Sequence, residues 1–273
     1  MGAIGRTPVR QDFPQDAMPS VEPYDMLAAG YDVVMAHVDY EFWSAYVHRL
    51  LSRHADDAGI DEVVELGGGT GTFALNLKRR GGYRYLLTDG SAPMLAEARS
   101  KIAEAGENIR CVEARFPGVT RAGLGLAHPV DAVVLVYDGL NYLLEEADVR
   151  ALFRRVAALI RPGGVFVFDQ STPANSEDHA SGFTDEGTEG DFSYVRESCY
   201  DPETRRHVTV FELSVGGRQG RERHVQRAYP PQDIRALLHE SPLTVEAAYD
   251  GFSTDPAHER SHRVHWVTRR APD

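Results

Sequence analysis

Apolar positions recur along the chain in two rhythms. Residues 39–54 place Phe42, Trp43, Tyr46, Val47, Leu50 and Leu51 on one helical face, with Asp39 as the N-cap. Residues 61–66 read as a buried strand, 67–71 as a glycine turn and 72–80 as a helix closed by Gly81 and Gly82. Residues 84–89 are a second strand. Ser91 caps a helix that reaches Ala105 and ends at Gly106, and 108–113 are a third strand. A fourth strand, 131–137, carries Val133, Val134, Leu135 and Val136 in unbroken succession, as expected of a parallel strand buried on both faces. The helix over 145–160 turns Val149, Leu152, Phe153, Val156 and Leu159 inward. Arg161-Pro162-Gly163-Gly164 stops it before a fifth strand, 165–169. Strands alternating with helices predict an α/β fold with a doubly wound, mostly parallel sheet.

The rhythm changes after Asp169. Residues 171–191 are acidic and rich in Gly, Ser and Thr, and read as a long loop. An antiparallel meander follows, with strands at 192–200, 206–215 and 221–229 and turns at Asp201-Pro202-Glu203-Thr204 and Gly216-Gly217. Pro230-Pro231 ends it. A helix over 232–239 and strands at 245–249 and 263–268 complete a seven-stranded sheet. The chain thus divides into a disordered leader (1–20), a cofactor-binding unit (21–170), an antiparallel β lid inserted after strand five (171–230) and a return to the main sheet (231–273).

Composition narrows the function. The 273 residues carry a net charge of −12, and the short basic clusters Lys78-Arg79-Arg80 and Arg269-Arg270 read as solvated ends, so nucleic acid is disfavoured as a partner. No run approaches the roughly 18 apolar residues that cross a bilayer, and residues 1–19 lack the layout of a secretory signal. Cys111 and Cys199 form no framework or metal pattern, which fits a reducing cytoplasm. The sequence is compatible with a homodimer and does not fix the oligomeric state.

The chemistry starts at Glu65-Leu66-Gly67-Gly68-Gly69-Thr70-Gly71-Thr72. A strand, a glycine turn and a helix at the first crossover make a nucleotide-binding arrangement, because glycines let bare amides approach a ligand. A dinucleotide fingerprint would want a third glycine where Thr72 stands. Glu65, two residues before the first glycine, would repel a pyrophosphate and attract an ammonium or sulfonium. Asp89 ends the second strand, where a carboxylate can accept hydrogen bonds from both ribose hydroxyls. Capping of the next helix is its alternative role, although Ser91 is available for that.

These motifs resemble those of the class I, Rossmann-like S-adenosylmethionine-dependent methyltransferases, over residues 24–169 above all. Residues 65–71 resemble their first motif, with Gly68 where cysteine, alanine or serine is common, and Asp89 matches the ribose-binding acid. Asp89-Gly90-Ser91-Ala92-Pro93-Met94-Leu95 resembles the opening of their second helix, whose Met lies against the adenine. Glu113-Ala114-Arg115 stands where an acid meets the adenine amino group. Tyr31-Asp32, Asp39-Tyr40 and Trp43 are similar to an N-terminal segment of small-molecule members such as aminosugar N-methyltransferases and YqeM-like proteins. That likeness implies that Tyr31 closes over the methionine end of the cofactor and that a β lid follows strand five.

The resemblance implies methyl transfer from S-adenosylmethionine to a small-molecule N, O or C nucleophile, with S-adenosylhomocysteine as product. Such an in-line displacement needs alignment and water exclusion more than a fixed catalytic set. Tyr137-Asp138-Gly139-Leu140-Asn141-Tyr142 follows strand four at the carboxyl edge, where open α/β sheets bind ligands. Tyr137 is assigned to the cofactor. Asp138 or Asn141 would orient the acceptor, or else Asn141 holds the loop and Tyr142 packs in the core. His224 and Arg227, three apart on a strand, face opposite sides, so His224 is either an inward base or a surface histidine. His37, near the expected N-terminal closure, is open to the same two readings, and Glu197 is a weaker case. His258, His262 and His265 match no tight zinc spacing, and no metal is assigned. The competing functions are a non-catalytic cofactor-binding protein, a nicotinamide oxidoreductase, which Thr72 and Glu65 disfavour, and an RNA methyltransferase, for which no basic module is visible.

Overall fold

A computed structural model describes residues 18–178 and 182–271. In chain order the elements are β1 (Ser20–Val21), α1 (Tyr31–Val34), α2 (Tyr40–His54), β2 (Glu62–Leu66), α3 (Thr72–Gly81), β3 (Arg84–Asp89), α4 (Ala92–Glu104), β4 (Ile109–Glu113), β5 (Val130–Leu135), α5 (Glu146–Leu159), β6 (Ile160–Ser171) and α6 (Pro173–Asp178). They continue with β7 (Phe183–Glu189), β8 (Phe192–Asp201), β9 (Arg206–Val215), β10 (Arg218–Arg227), α7 (Pro231–His239), β11 (Leu243–Asp250) and β12 (Arg263–Arg270).

Seven strands form the main sheet in the order β11-β12-β6-β5-β2-β3-β4. β2 to β6 run parallel, and β12 lies antiparallel to β6 and β11 to β12. The chain moves outward from β2 through β3 to β4, then returns to place β5 on the other side of β2. This reversal opens a crevice beyond the carboxyl ends of β2 and β5. One face of the sheet packs on α5 and α7 through Phe153, Phe166, Phe168 and Trp266, and the other on α2, α3 and α4 through Tyr46, Leu50, Leu77 and Leu95. Asp39 caps α2 by accepting the Phe42 amide at 2.8 Å, and Ser91 caps α4 by accepting the Met94 amide at 3.3 Å.

The second sheet is the lid, ordered β1-β10-β9-β8-β7. Three expectations are corrected, two in this sheet and one in the main sheet. Residues 171–191 are not one loop: α6 lies there, and β7 pairs in full antiparallel register with β8. The leader expected over residues 1–20 stops earlier, because Ser20 and Val21 pair in parallel with Arg221 and Glu222. Residues 1–17 lie outside the described residues. Arg161-Pro162-Gly163-Gly164 does not separate a helix from a strand. α5 ends at Leu159, β6 begins at Ile160, and the motif bulges out where the pairing jumps from Val130–Ile160 to Ala132–Val165. Arg161 pins this bulge to Asp56 and Asp131.

Between the layers, the segment from Met26 to Met35 packs its apolar side under the lid against Phe192, Tyr194, Phe211 and Leu213. A buried carboxylate anchors it. Glu222, fully buried on β10, accepts the amides of Tyr24, Met26 and Leu27 at 2.7, 2.7 and 2.8 Å.

Candidate active site at the carboxyl edge

The crevice holds a cavity of about 540 Å³ walled by the glycine turn, the ends of β3 and β4, the loop after β5 and the segment ahead of α1. Its volume lies within the usual range of small-molecule sites. Gly67 and Gly69 turn with φ of +65° and +55°, conformations that side chains other than glycine rarely adopt, and both border the cavity. Asp89 borders it too. One of its carboxylate oxygens accepts the Gly69 amide at 2.9 Å and the other the Ser91 amide at 2.8 Å. Burial raises its pKa, with the amides of Ser91, Gly69 and Gly90 acting against that rise.

A Cβ at Gly90 would lie 2.8 Å from Arg115 Cγ, so any side chain there would displace Arg115. Met94, Glu113, Arg115, Tyr31 and Tyr137 also line the cavity. Glu65 and Gly68 instead face a recess behind Tyr31, Tyr40 and Trp43. Gly71 and Ala114 border neither space. Gly71 caps α3 with φ of +78° and lies against Ala98 of α4, and the Ala114 amide bonds the Asp89 carbonyl. Their contribution is to the shape of the turn and strand.

Glu65 differs in charge from the expectation. Its side chain is buried, burial pushes its pKa up to about 8, and the Tyr85 hydroxyl that donates to it at 3.0 Å only partly offsets this. At neutral pH the recess therefore holds a mostly protonated carboxyl, which ionises when a cation approaches.

Two of the expected acceptor residues are occupied elsewhere. The Asp138 carboxylate pairs with Arg263, whose guanidinium also binds Asp169 and lies over the rings of Trp43 and Tyr137. Asp169 is fully buried, and burial raises the pKa of its carboxyl against the pull of Arg263. Asn141 is also buried. Its amide donates to the carbonyls of Ser171 and Arg227, both at 2.8 Å, and its oxygen accepts the Ser171 amide at 3.0 Å. Neither side chain lines the cavity; the loop presents Tyr137, Gly139, Tyr142 and Leu143 instead. The loop-holding role is the one the geometry gives Asn141.

His224 is not a surface histidine: it is 4% exposed on the inner face of β10 and reaches Glu222 and Tyr142. His37 Nδ1 lies 3.2 Å from the carbonyl of Val34, and Glu197 is exposed on β8. His258 lies by Asp250 and His262 by Asp178, while His265 is buried beside Gly251, so the three do not converge.

Residue-level reading missed Tyr24 and Glu222. Tyr24 lines the cavity with a positive φ of 67°, uncommon outside glycine and concentrated at functional sites. Glu222 had a legible signal, since it stands two residues before His224 and so shares its face of the strand.

Residues 63–164 match the model of a methyltransferase domain family. A protein of Geobacillus sp. (strain WCH70), named as a methyltransferase, is 30% identical over 256 residues, which span 90% of this chain and 99% of that one. The chain belongs to this family of methyltransferases. The fold of this methyltransferase is shared with solved structures of low sequence identity. An S-adenosylmethionine-dependent methyltransferase from Clostridium acetobutylicum ATCC 824 superposes with a TM-score of 0.73 at 21% identity, covering 89% of this chain and 97% of that one. The sugar N-methyltransferase KedS8 from Streptoalloteichus sp. ATCC 53650 does so with 0.68 at 19% identity, covering 100% of both. No helix among the described residues of the methyltransferase is long and apolar enough to cross a membrane.

Proposed function

We propose that the cavity takes S-adenosylmethionine and a small-molecule amine together, and that the enzyme N-methylates the amine. The supporting observation is the charge of the lining: Glu22, Asp25, Asp89 and Glu113 are carboxylates, and Arg115 is their basic counterpart. An acidic cavity favours cationic ligands, which a sulfonium cofactor and a protonated amine both are. The likeness in fold to a sugar N-methyltransferase points to the same acceptor class.

The residues present suit the cofactor. Asp89 sits at a strand end with its carboxylate on the cavity wall, where it would hold ribose hydroxyls. Met94 and Glu113 would meet the adenine face and amino group. Gly67 and Gly69 would let the backbone approach the methionine end, with Tyr31 closing over it and the Glu65 recess behind. When bound, S-adenosylmethionine supplies a methyl group activated by its sulfonium. The chain contributes alignment and a lid that excludes water.

Calorimetric titration of the full chain with S-adenosylmethionine, S-adenosylhomocysteine and NAD tests the cofactor. Binding of the first two without the third is expected, and binding of NAD alone would withdraw the proposal. Methyl-labelled S-adenosylmethionine incubated with aminosugars, phenols and amino acids tests the acceptor, with label expected on the amines.

A further inference from the structure

Four polar side chains from three separate parts of the chain form one hydrogen-bonded line that starts at the cavity wall and ends in the lid. The Tyr24 hydroxyl, on the segment before α1, donates to the Tyr142 hydroxyl, on the loop after β5, at 2.5 Å. Tyr142 Oη lies 3.2 Å from His224 Nδ1. His224 Nε2 lies 3.1 Å from Glu222 Oε2. Tyr24 and Tyr142 both border the cavity, whereas His224 and Glu222 lie behind it and are sealed from solvent.

The direction of every hydrogen in this line follows from its far end. Ionised Glu222 can only accept, and it already takes three backbone amides. His224 Nε2 must therefore carry the hydrogen, which leaves Nδ1 of the neutral ring as an acceptor. Tyr142 then donates to Nδ1, and Tyr24 donates to Tyr142. Tyr24 is left with oxygen lone pairs facing the cavity. The backbone supports the same aim, because Glu222 holds the Tyr24 amide while Tyr24 adopts its positive φ.

From this we infer that Tyr24, Tyr142, His224 and Glu222 form a proton relay that takes a hydrogen from the acceptor atom, so that the atom methylated is an N–H or O–H rather than a carbon or a tertiary amine. The inference rests on the reading of this cavity as the acceptor site. The step moves one proton at each link and no electrons. The acceptor's N–H or O–H bond breaks and Tyr24 gains that proton. Tyr24 releases its own to Tyr142, Tyr142 releases its own to His224 Nδ1, and the resulting imidazolium is balanced by the Glu222 carboxylate. Burial raises the pKa of both phenols, so they pass protons on and do not ionise. Tyr24 is the catalytic residue, and the other three position and drain it. The ring of Phe211, from β9, packs edge-on against His224 with centroids 5.3 Å apart and brings no charge.

Nuclear magnetic resonance on the full chain, labelled with 15N-histidine and 13Cζ-tyrosine and saturated with S-adenosylhomocysteine, tests this without an acceptor. At neutral pH, His224 is expected to carry its hydrogen on Nε2 alone. On acidification, Tyr142 and Tyr24 should shift at the midpoint at which His224 Nδ1 protonates. Tyr142→Phe keeps the ring and should abolish the response of Tyr24 while His224 still titrates. A hydrogen on Nδ1 at neutral pH, or a Tyr24 response that survives Tyr142→Phe, would overturn the relay. Affinity for S-adenosylhomocysteine should stay within about twofold in Tyr24→Phe and His224→Gln. Absence of binding in the unsubstituted chain would instead remove the cavity reading and leave the tautomer result standing. With the amine found by the labelled-methyl assay, each of these two variants should lower kcat about 10²-fold with little change in KM, and the double variant should be no worse than either. A loss below threefold in both would overturn the relay.

Discussion

Asp89 shows how much one residue carries. It ends β3, its two oxygens fix the glycine turn and the start of the α4 segment, and its carboxylate forms part of the cavity wall. Asp89→Asn keeps an acceptor for one amide and removes the charge. Hydrogen bonds to a charged group contribute about 1.5–3 kcal/mol, so S-adenosylmethionine affinity should fall by about tenfold or more while the circular dichroism spectrum is unchanged. Native-like affinity in a folded variant would remove Asp89 from the ribose site. Glu65 makes a second prediction at this scale. Its carboxyl is mostly protonated in the free protein at pH 7, and a cation in the recess would ionise it. Cofactor binding should release close to one proton, measured by calorimetry in buffers of different ionisation enthalpy, and Glu65→Gln should abolish the release. Both residues were legible in the sequence because a strand end and a glycine turn mark their positions locally. The charge state of Glu65 was not, since it depends on burial. Nor was the Asp138–Arg263 pair, whose members stand 125 residues apart.

At the scale of elements, the parallel strands were readable because burial on both faces leaves an unbroken apolar run, as in β5. β7 was hidden for the opposite reason. It is an edge strand exposed along nearly its whole length, and its sequence, Phe183–Glu189, is acidic with a glycine just past its centre and little to alternate. β1 is two residues long and exists only because β10 is there to pair with it. The loop after β5 was correctly located at the carboxyl edge, but which of its side chains face the cavity depends on contacts far along the chain. Asn141 ties that loop to the end of β6 and to the last residue of β10, and so joins the main sheet to the lid. Asn141→Ala removes the hydrogen bonds to one backbone amide and two carbonyls, and it should destabilise the fold by about 2–3 kcal/mol. The thermal midpoint should fall by several degrees. Gly68→Ala should act through packing, since the added Cβ would come within 2.6 Å of Leu87 Cγ. A cost of about 1–3 kcal/mol is expected.

For the molecule as a whole, buried titratable groups set how stability responds to pH. Glu65 holds its proton up to about pH 8 when folded, while in the unfolded chain it loses it near pH 4. It therefore contributes stability that is complete below the unfolded value and is lost as pH rises through the folded one. Histidines act in the reverse sense. His265 is lowered to about 3 by burial and then by Arg263, and burial also lowers His48 and His54. Their neutral folded forms lose stability as pH falls below about 6.5, where the unfolded rings protonate. The two effects oppose each other between pH 4.5 and 6.5. Above that window these three histidines are neutral in both states, and Glu65 still responds. Each proton is worth about 1.4 kcal/mol per pH unit, so unfolding free energy should fall by about 1–2 kcal/mol from pH 6.5 to 8. Urea titrations at half-unit intervals measure this. Glu65→Gln, which carries no proton to lose, should flatten the profile over the same range. A flat profile in the unsubstituted chain would mean that Glu65 is already ionised, and the expected proton release on cofactor binding would fail with it.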